Sequence, residues 1–100
     1  MKPVLAWSRV ARHEIEAAFA WYEEMAPGVG WQFADEVASA LGLILAEPKA
    51  FPAVHLEFRK FVLRRFPYVL IYRADSKRII IHAVFHAKRN PRQWRERATH

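Results

Sequence analysis

Tyr68-Val-Leu-Ile-Tyr72, followed after one turn by Arg78-Ile-Ile-Ile-His-Ala-Val-Phe85, decides the fold of this chain. Nearly every residue of the first segment is apolar, the composition of a central strand buried on both faces. Between the two segments, Ala74-Asp-Ser-Lys77 supplies turn formers that reverse the chain. Upstream, residues 58–65 alternate around Phe61 and Leu63, with Arg59, Lys60, Arg64 and Arg65 flanking them, and Phe66-Pro67 is a further turn signal. Three consecutive strands with short turns predict an antiparallel meander.

The first half reads as something that must be laid on that sheet. Val4-Leu-Ala-Trp7 is short, apolar and preceded by Pro3, which suits a first strand at or near a sheet edge. Ser8 can cap a helix by accepting an orphan backbone N–H. In that helix Ala11, Ile15, Ala18, Phe19 and Tyr22 fall at i, i+4, i+7, i+8 and i+11, one apolar stripe, while Arg9, Arg12, Glu16, Glu23 and Glu24 occupy the other side. Pro27-Gly-Val-Gly30 breaks it. A second helix carries Phe33, Val37, Ala40, Leu41, Ile44 and Leu45 on one side and should end before Pro48. Trp21, Tyr22 and Phe33 are expected in the core. The order β-α-α-β-β-β predicts an α+β fold, a helical hairpin packed on a small, mainly antiparallel sheet, as a single domain over residues 1–100. Pro91 is placed to open a short C-terminal helix.

Composition narrows the function classes. The chain has 100 residues, 53% of them hydrophobic, which supports a folded core. It lacks the long uncharged apolar run of a spanning helix and the apolar core of a signal peptide, so a cytoplasmic protein is expected, with no membrane partner. The absence of cysteine excludes disulfides, thiolate metal sites and a cysteine nucleophile. The net charge of +6 is unevenly spread: residues 1–50 hold four Lys/Arg against seven Asp/Glu (−3), and residues 51–100 hold twelve against three (+9). The last strand runs directly into Ala83-Val-Phe-His-Ala-Lys-Arg-Asn-Pro-Arg-Gln-Trp-Arg-Glu-Arg97, so an anionic partner, nucleic acid or acidic protein, is expected there.

Four groups of residues carry a family resemblance. They are Trp21-Tyr-Glu-Glu-Met-Ala-Pro-Gly-Val-Gly30, Phe33-Ala-Asp-Glu-Val37, Arg64-Arg-Phe-Pro-Tyr-Val-Leu-Ile-Tyr72, and Ala83-Val-Phe-His86 with Arg89, Pro91, Trp94 and Arg95. Together they resemble the RelE/ParE superfamily of toxins from type II toxin–antitoxin modules, in its plasmid stabilisation branch. The resemblance implies the α+β fold, a cytoplasmic location, no cofactor, and a toxin–antitoxin hetero-oligomer. The cognate antitoxin would be acidic in its C-terminal part.

The superfamily holds two activities, cleavage of mRNA on the ribosome by RelE-like members and poisoning of DNA gyrase by ParE-like members. Metal-free RNA cleavage needs a base, an acid and cations around one phosphate. By resemblance, Lys60 stands where one nuclease lysine lies and Arg89 matches the arginine after the last strand. Val62 and Val69 stand where a second lysine and the transition-state arginine belong, and Trp94 or Arg95 where a tyrosine acts. The vacant roles imply the ParE-like activity, with Arg64, Arg65, His86, Lys88, Arg89, Arg92, Trp94 and Arg95 as target contacts. The alternative is a ribosome-dependent endonuclease using Lys60, Arg65, His86 and Arg89. A third class is a non-toxic domain that only binds antitoxin. His82 and His86, four apart on the last strand, are expected on one face, His82 as a partly buried strand residue and His86, at the strand end, open to either a structural or a functional role. A metal site there is disfavoured because no nearby carboxylate completes it. Tyr68 and Tyr72 are expected in the core with wet hydroxyls. Trp94 either seals the sheet edge or anchors a partner.

Overall fold

The computed structural model of the protein describes residues 3–88. They form β1 (Val4–Trp7), α1 (Arg9–Met25), α2 (Val29–Ala46), β2 (Ala53–His55), β3 (Phe58–Val62), β4 (Tyr68–Ala74) and β5 (Arg78–His86). The sheet order is β1-β5-β4-β3-β2, with β1 parallel to β5 and the other neighbours antiparallel. Both helices lie on one face, so the α+β arrangement expected from the sequence is the one that forms. The helix expected from Pro91, and Arg89, Arg92, Trp94 and Arg95, lie outside the described residues. Among the described residues no helix is long and apolar enough to cross a membrane.

Two details of the sheet differ from the expectation. The short strand β2 pairs with the start of β3, and three residues are too few to show a period. The strand expected over residues 58–65 ends at Val62. Beyond it the Glu36 carboxylate on α2 accepts the N–H groups of Arg64 (2.7 Å) and Arg65 (3.1 Å), holding the chain to the helix instead of to the ladder.

Hydrogen bonds from the start of α1 fix the parallel pairing of β1 with β5. Ser8 donates its N–H to the Ile81 carbonyl (2.9 Å). Its hydroxyl accepts from the Ala11 N–H (3.0 Å), capping α1, and donates to the His82 carbonyl (3.0 Å). Six residues on, the Glu14 carboxylate accepts the Val84 N–H (2.9 Å). Where β1 stops, α1 therefore continues to satisfy the edge of β5.

The main core lies between the hairpin and the sheet. Ala11 and Ala18 of α1 and Phe33, Val37, Ala40 and Ile44 of α2 pack against Leu70, Tyr72, Ile79, Ile81 and Val84. Full burial of a side chain such as Phe33 or Ile44 contributes about 1.5–3 kcal/mol. Tyr22 packs among Phe33, Phe66 and Tyr68 with ring centroids 4.9–6.0 Å away. Trp21 departs from its expected place in the core: it is 56% exposed and meets Tyr22 edge-on at 5.0 Å. One residue is about 100° of helix, enough to carry it off the stripe that Ala18 and Tyr22 define.

The turn between the helices is closed by Glu23. Gly28 adopts φ +93 and offers no side-chain cap to α2. The Glu23 carboxylate, reaching from α1, accepts the N–H groups of Gly28 (2.9 Å) and Gly30 (2.9 Å) instead. A Cβ on Gly30 would lie 2.8 Å from both the Glu23 Cβ and the Phe19 carbonyl oxygen. Gly30→Ala should therefore cost about 1–3 kcal/mol by overpacking, and Glu23→Ala about 1–2 kcal/mol by uncapping α2. Equilibrium urea unfolding checks both; midpoints matching the parent chain would contradict this account of the turn.

Candidate functional site

The sheet face turned away from the helices is built by every second residue of β3 and β4. Phe58, Val69, Ile71 and Ala83 form a second buried apolar cluster there, with Val54 and Phe85 against it. Arg73 lies over the Phe58 ring at 5.9 Å and pairs with Glu57 at 3.1 Å. Lys60 is paired with Ile71 and Val62 with Val69, which puts both on this outer face of β3. Of the positions where the resemblance looks for nuclease cations on the sheet, only Lys60 is charged, and its neighbours are hydrocarbon.

A β-bulge changes the reading of the histidines. Ile71 pairs with Ala83 but Tyr72 pairs with Ile81, leaving His82 as the extra residue. The bulge shifts the alternation, so His82 packs by the outer cluster, its ring 4.8 Å from Phe58. His86 pairs with Tyr68 on the helix-bearing side, rings 5.4 Å apart. The two histidines thus lie on opposite faces, a correction to the single-face reading, and an extra residue in one strand leaves no mark on the sequence pattern. His86 Nδ1 accepts the Lys88 N–H (3.2 Å), so a neutral ring carries its proton on Nε2.

The other residues singled out in the sequence gather at the β3–β4 connection. Arg65 donates from Nε to Glu36 (3.2 Å), with its side chain 66% exposed and that of Glu36 only 13%. Arg64 is exposed beside it. Lys60, Arg64 and Arg65 line one side of a groove of about 880 Å³ between α2 and β3, whose other wall carries Asp35 and Glu36. His86 and Lys88 lie at the far end of β5, across β4 from this groove. No local pattern marks the groove, because its residues come from α2, the α2–β2 connection, β3 and the β3–β4 connection.

Both core tyrosines lie on the helix side, as expected, but the Tyr72 hydroxyl is not wet. It donates to the Pro48 carbonyl at 2.6 Å. Burial pushes its pKa up, with the Arg59 charge opposing, so it stays protonated and a donor. Arg59 itself is committed to the Phe51 carbonyl (2.8 Å) and reinforces the α2–β2 connection. Burial, then the neighbouring Tyr68, likewise raises the Tyr22 pKa.

Comparison with known proteins accords with this geometry. Residues 5–91 match the family described as the ParE toxin of type II toxin-antitoxin system, parDE. The fold is similar to a solved structure described as the chromosomal ParDE TA system from P. aeruginosa, at 18% identity, covering 87% of this chain and 98% of that one, with a TM-score of 0.75. No curated protein matches.

The Glu36 contacts are open to test. Glu36→Ala removes the acceptor of two backbone N–H groups and should cost about 1–3 kcal/mol. Arg65→Ala removes only an exposed ion-pair partner and should cost under about 1 kcal/mol. Thermal unfolding of the two variants gives the order; an equal or reversed order would mean that the ion pair, and not the backbone contact, holds the connection.

Proposed function

We propose that this chain, which belongs to the ParE toxin family of type II toxin–antitoxin systems, arrests growth by binding DNA gyrase and is neutralised by a cognate antitoxin. Its fold is that of the RelE/ParE superfamily, whose RelE-like members cut mRNA, so the reading has to be decided at the site. One observation carries it: Lys60 and His86 stand on opposite faces of the sheet. A base and an acid acting on one phosphodiester must both come within hydrogen-bond reach of it. Arg65 is engaged by Glu36, and the outer face offers Val62 and Val69 where nuclease cations would be needed. This arrangement favours holding a target over cleaving one.

The target contact is assigned to Arg64, Arg65, His86, Lys88, Arg89, Arg92, Trp94 and Arg95, the cationic end of a half carrying +9. Such a surface speeds encounter with an anionic nucleoprotein enzyme. The bound state is a protein–protein complex in which this chain supplies charge and an aromatic anchor and no bond is broken by it. The expected place of action is the cytoplasm.

In a supercoiling assay with purified gyrase, the protein should block supercoiling or stabilise a cleaved DNA complex. Lys60→Ala should retain this effect, and Arg92→Glu with Arg95→Glu should weaken it about tenfold or more. Full gyrase activity at every toxin concentration, together with mRNA cleavage on translating ribosomes that Lys60→Ala abolishes, would replace the reading with the nuclease one.

A further inference from the structure

We propose that Glu36 is the positioning residue of the target contact. By holding the backbone of Arg64 and Arg65, it presents both guanidinium groups, with His86 and Lys88, as one rigid cationic rim. The inference rests on the target reading above and adds the residue that shapes the contact through others.

The chain between β3 and β4 is pinned on both sides of the two arginines. Leu63 and Phe66 are buried, 4% and 8% exposed, whereas Arg64 and Arg65 between them are exposed. Leu63 donates its N–H to the Tyr68 carbonyl (3.0 Å), and Tyr68 donates to the Phe66 carbonyl (2.8 Å). Glu36 supplies the remaining acceptor. Its Oε2 takes the N–H groups of Arg64 (2.7 Å) and Arg65 (3.1 Å), and its Oε1 takes Nε–H of Arg65 (3.2 Å). The Glu36 side chain is only 13% exposed, and Phe33, Val37 and Ala40 bury the same stretch of α2. Two exposed residues are thus held against a fixed support. A further bond ties in the end of β5: Ala87 donates to the Pro67 carbonyl (2.7 Å), next to the pair Tyr68–His86. Arg64, Arg65, His86 and Lys88 therefore stand at one end of the sheet.

Two effects of Glu36 on an anionic target oppose each other. Its charge lies against Arg65 and lowers the attraction of the rim, by about fivefold at most for an exposed pair. Against this, ordering the backbone of one residue costs roughly fivefold to thirtyfold in an equilibrium constant, and Glu36 orders two residues before the target arrives. The holding effect is the larger. Only Nε of the Arg65 guanidinium is taken, which leaves both terminal nitrogens to a partner. Loss of the carboxylate should therefore weaken the contact, although it makes the rim more positive.

The test uses the full-length protein and purified gyrase, with association and dissociation followed by biolayer interferometry and inhibition by the supercoiling assay. Glu36→Met and Glu36→Gln remove the same charge at nearly the same size, but only Gln keeps an oxygen for the two backbone N–H groups. Glu36→Met should dissociate at least tenfold faster and associate no more slowly, and Glu36→Gln should restore dissociation to within about threefold of the parent chain. Glu36→Asp keeps the charge but falls one carbon short of the N–H groups, so it should dissociate about as fast as Glu36→Met; it decides the question alone should Glu36→Met not fold. Circular dichroism at the assay temperature checks folding, and partial unfolding would lower the bound amplitude without changing the dissociation rate. Equal dissociation rates for Glu36→Met and Glu36→Gln, or a Glu36→Asp protein that dissociates like the parent chain, would overturn the proposal. A parent chain that neither binds nor inhibits gyrase would instead overturn the target reading, and this proposal with it.

Discussion

The whole structure depends on β4 being buried on both faces. Tyr68, Leu70 and Tyr72 look toward the helices, while Val69 and Ile71 look away into the second apolar cluster. A strand with this composition has no stable place except between two paired neighbours, so β3 and β5 must flank it. That leaves the helices one face to cover and puts β1 next to β5, where Ser8 and Glu14 bind the exposed edge. Each later feature, including the bulge at His82, the end of β3 at Val62 and the connection held by Glu36, is located relative to that strand.

Much of this was legible in the sequence because it rests on period and on local chemistry. The 3.6-residue stripe from Ala11 to Tyr22, the stripe from Phe33 to Leu45, the Ser8 cap and the stop before Pro48 are all local signals, and each element lies where they put it. What was not legible depends on single residues meeting across the chain. The bulge that separates His82 from His86 is an insertion of one residue relative to β4, visible only once the partner strand is in place. The early end of β3 comes from a carboxylate 28 residues away in sequence. Trp21 looked like core by residue type, but its angle on the helix decided otherwise.

The site was legible in kind more than in arrangement. The basic second half can be read from residue types alone, and the vacant nuclease positions from setting residue types against the family resemblance. That Lys60 and His86 lie on opposite faces cannot, because it depends on the strand register and the bulge. The groove was invisible for the same reason: Leu43, Phe51 and Val62 are unremarkable singly and become a surface only when α2 lies along β3. The fold thus sets two regions apart. One edge of the sheet offers an apolar groove with cations on one wall, and the far end of β5 leads into the basic C-terminal stretch of the sequence. Arg64 and Arg65 line that groove and lie in the connection between β3 and β4.

The central claim is that the protein arrests growth by jamming a DNA enzyme and not by cutting RNA. The most direct measurement is induction of the chain without its antitoxin, with a DNA-damage reporter and the 5′ ends of cellular mRNA followed in the same culture. The account predicts growth arrest with early reporter activation and no new codon-linked mRNA ends. Arrest with fresh mRNA ends and a silent reporter would contradict it, and so would undisturbed growth.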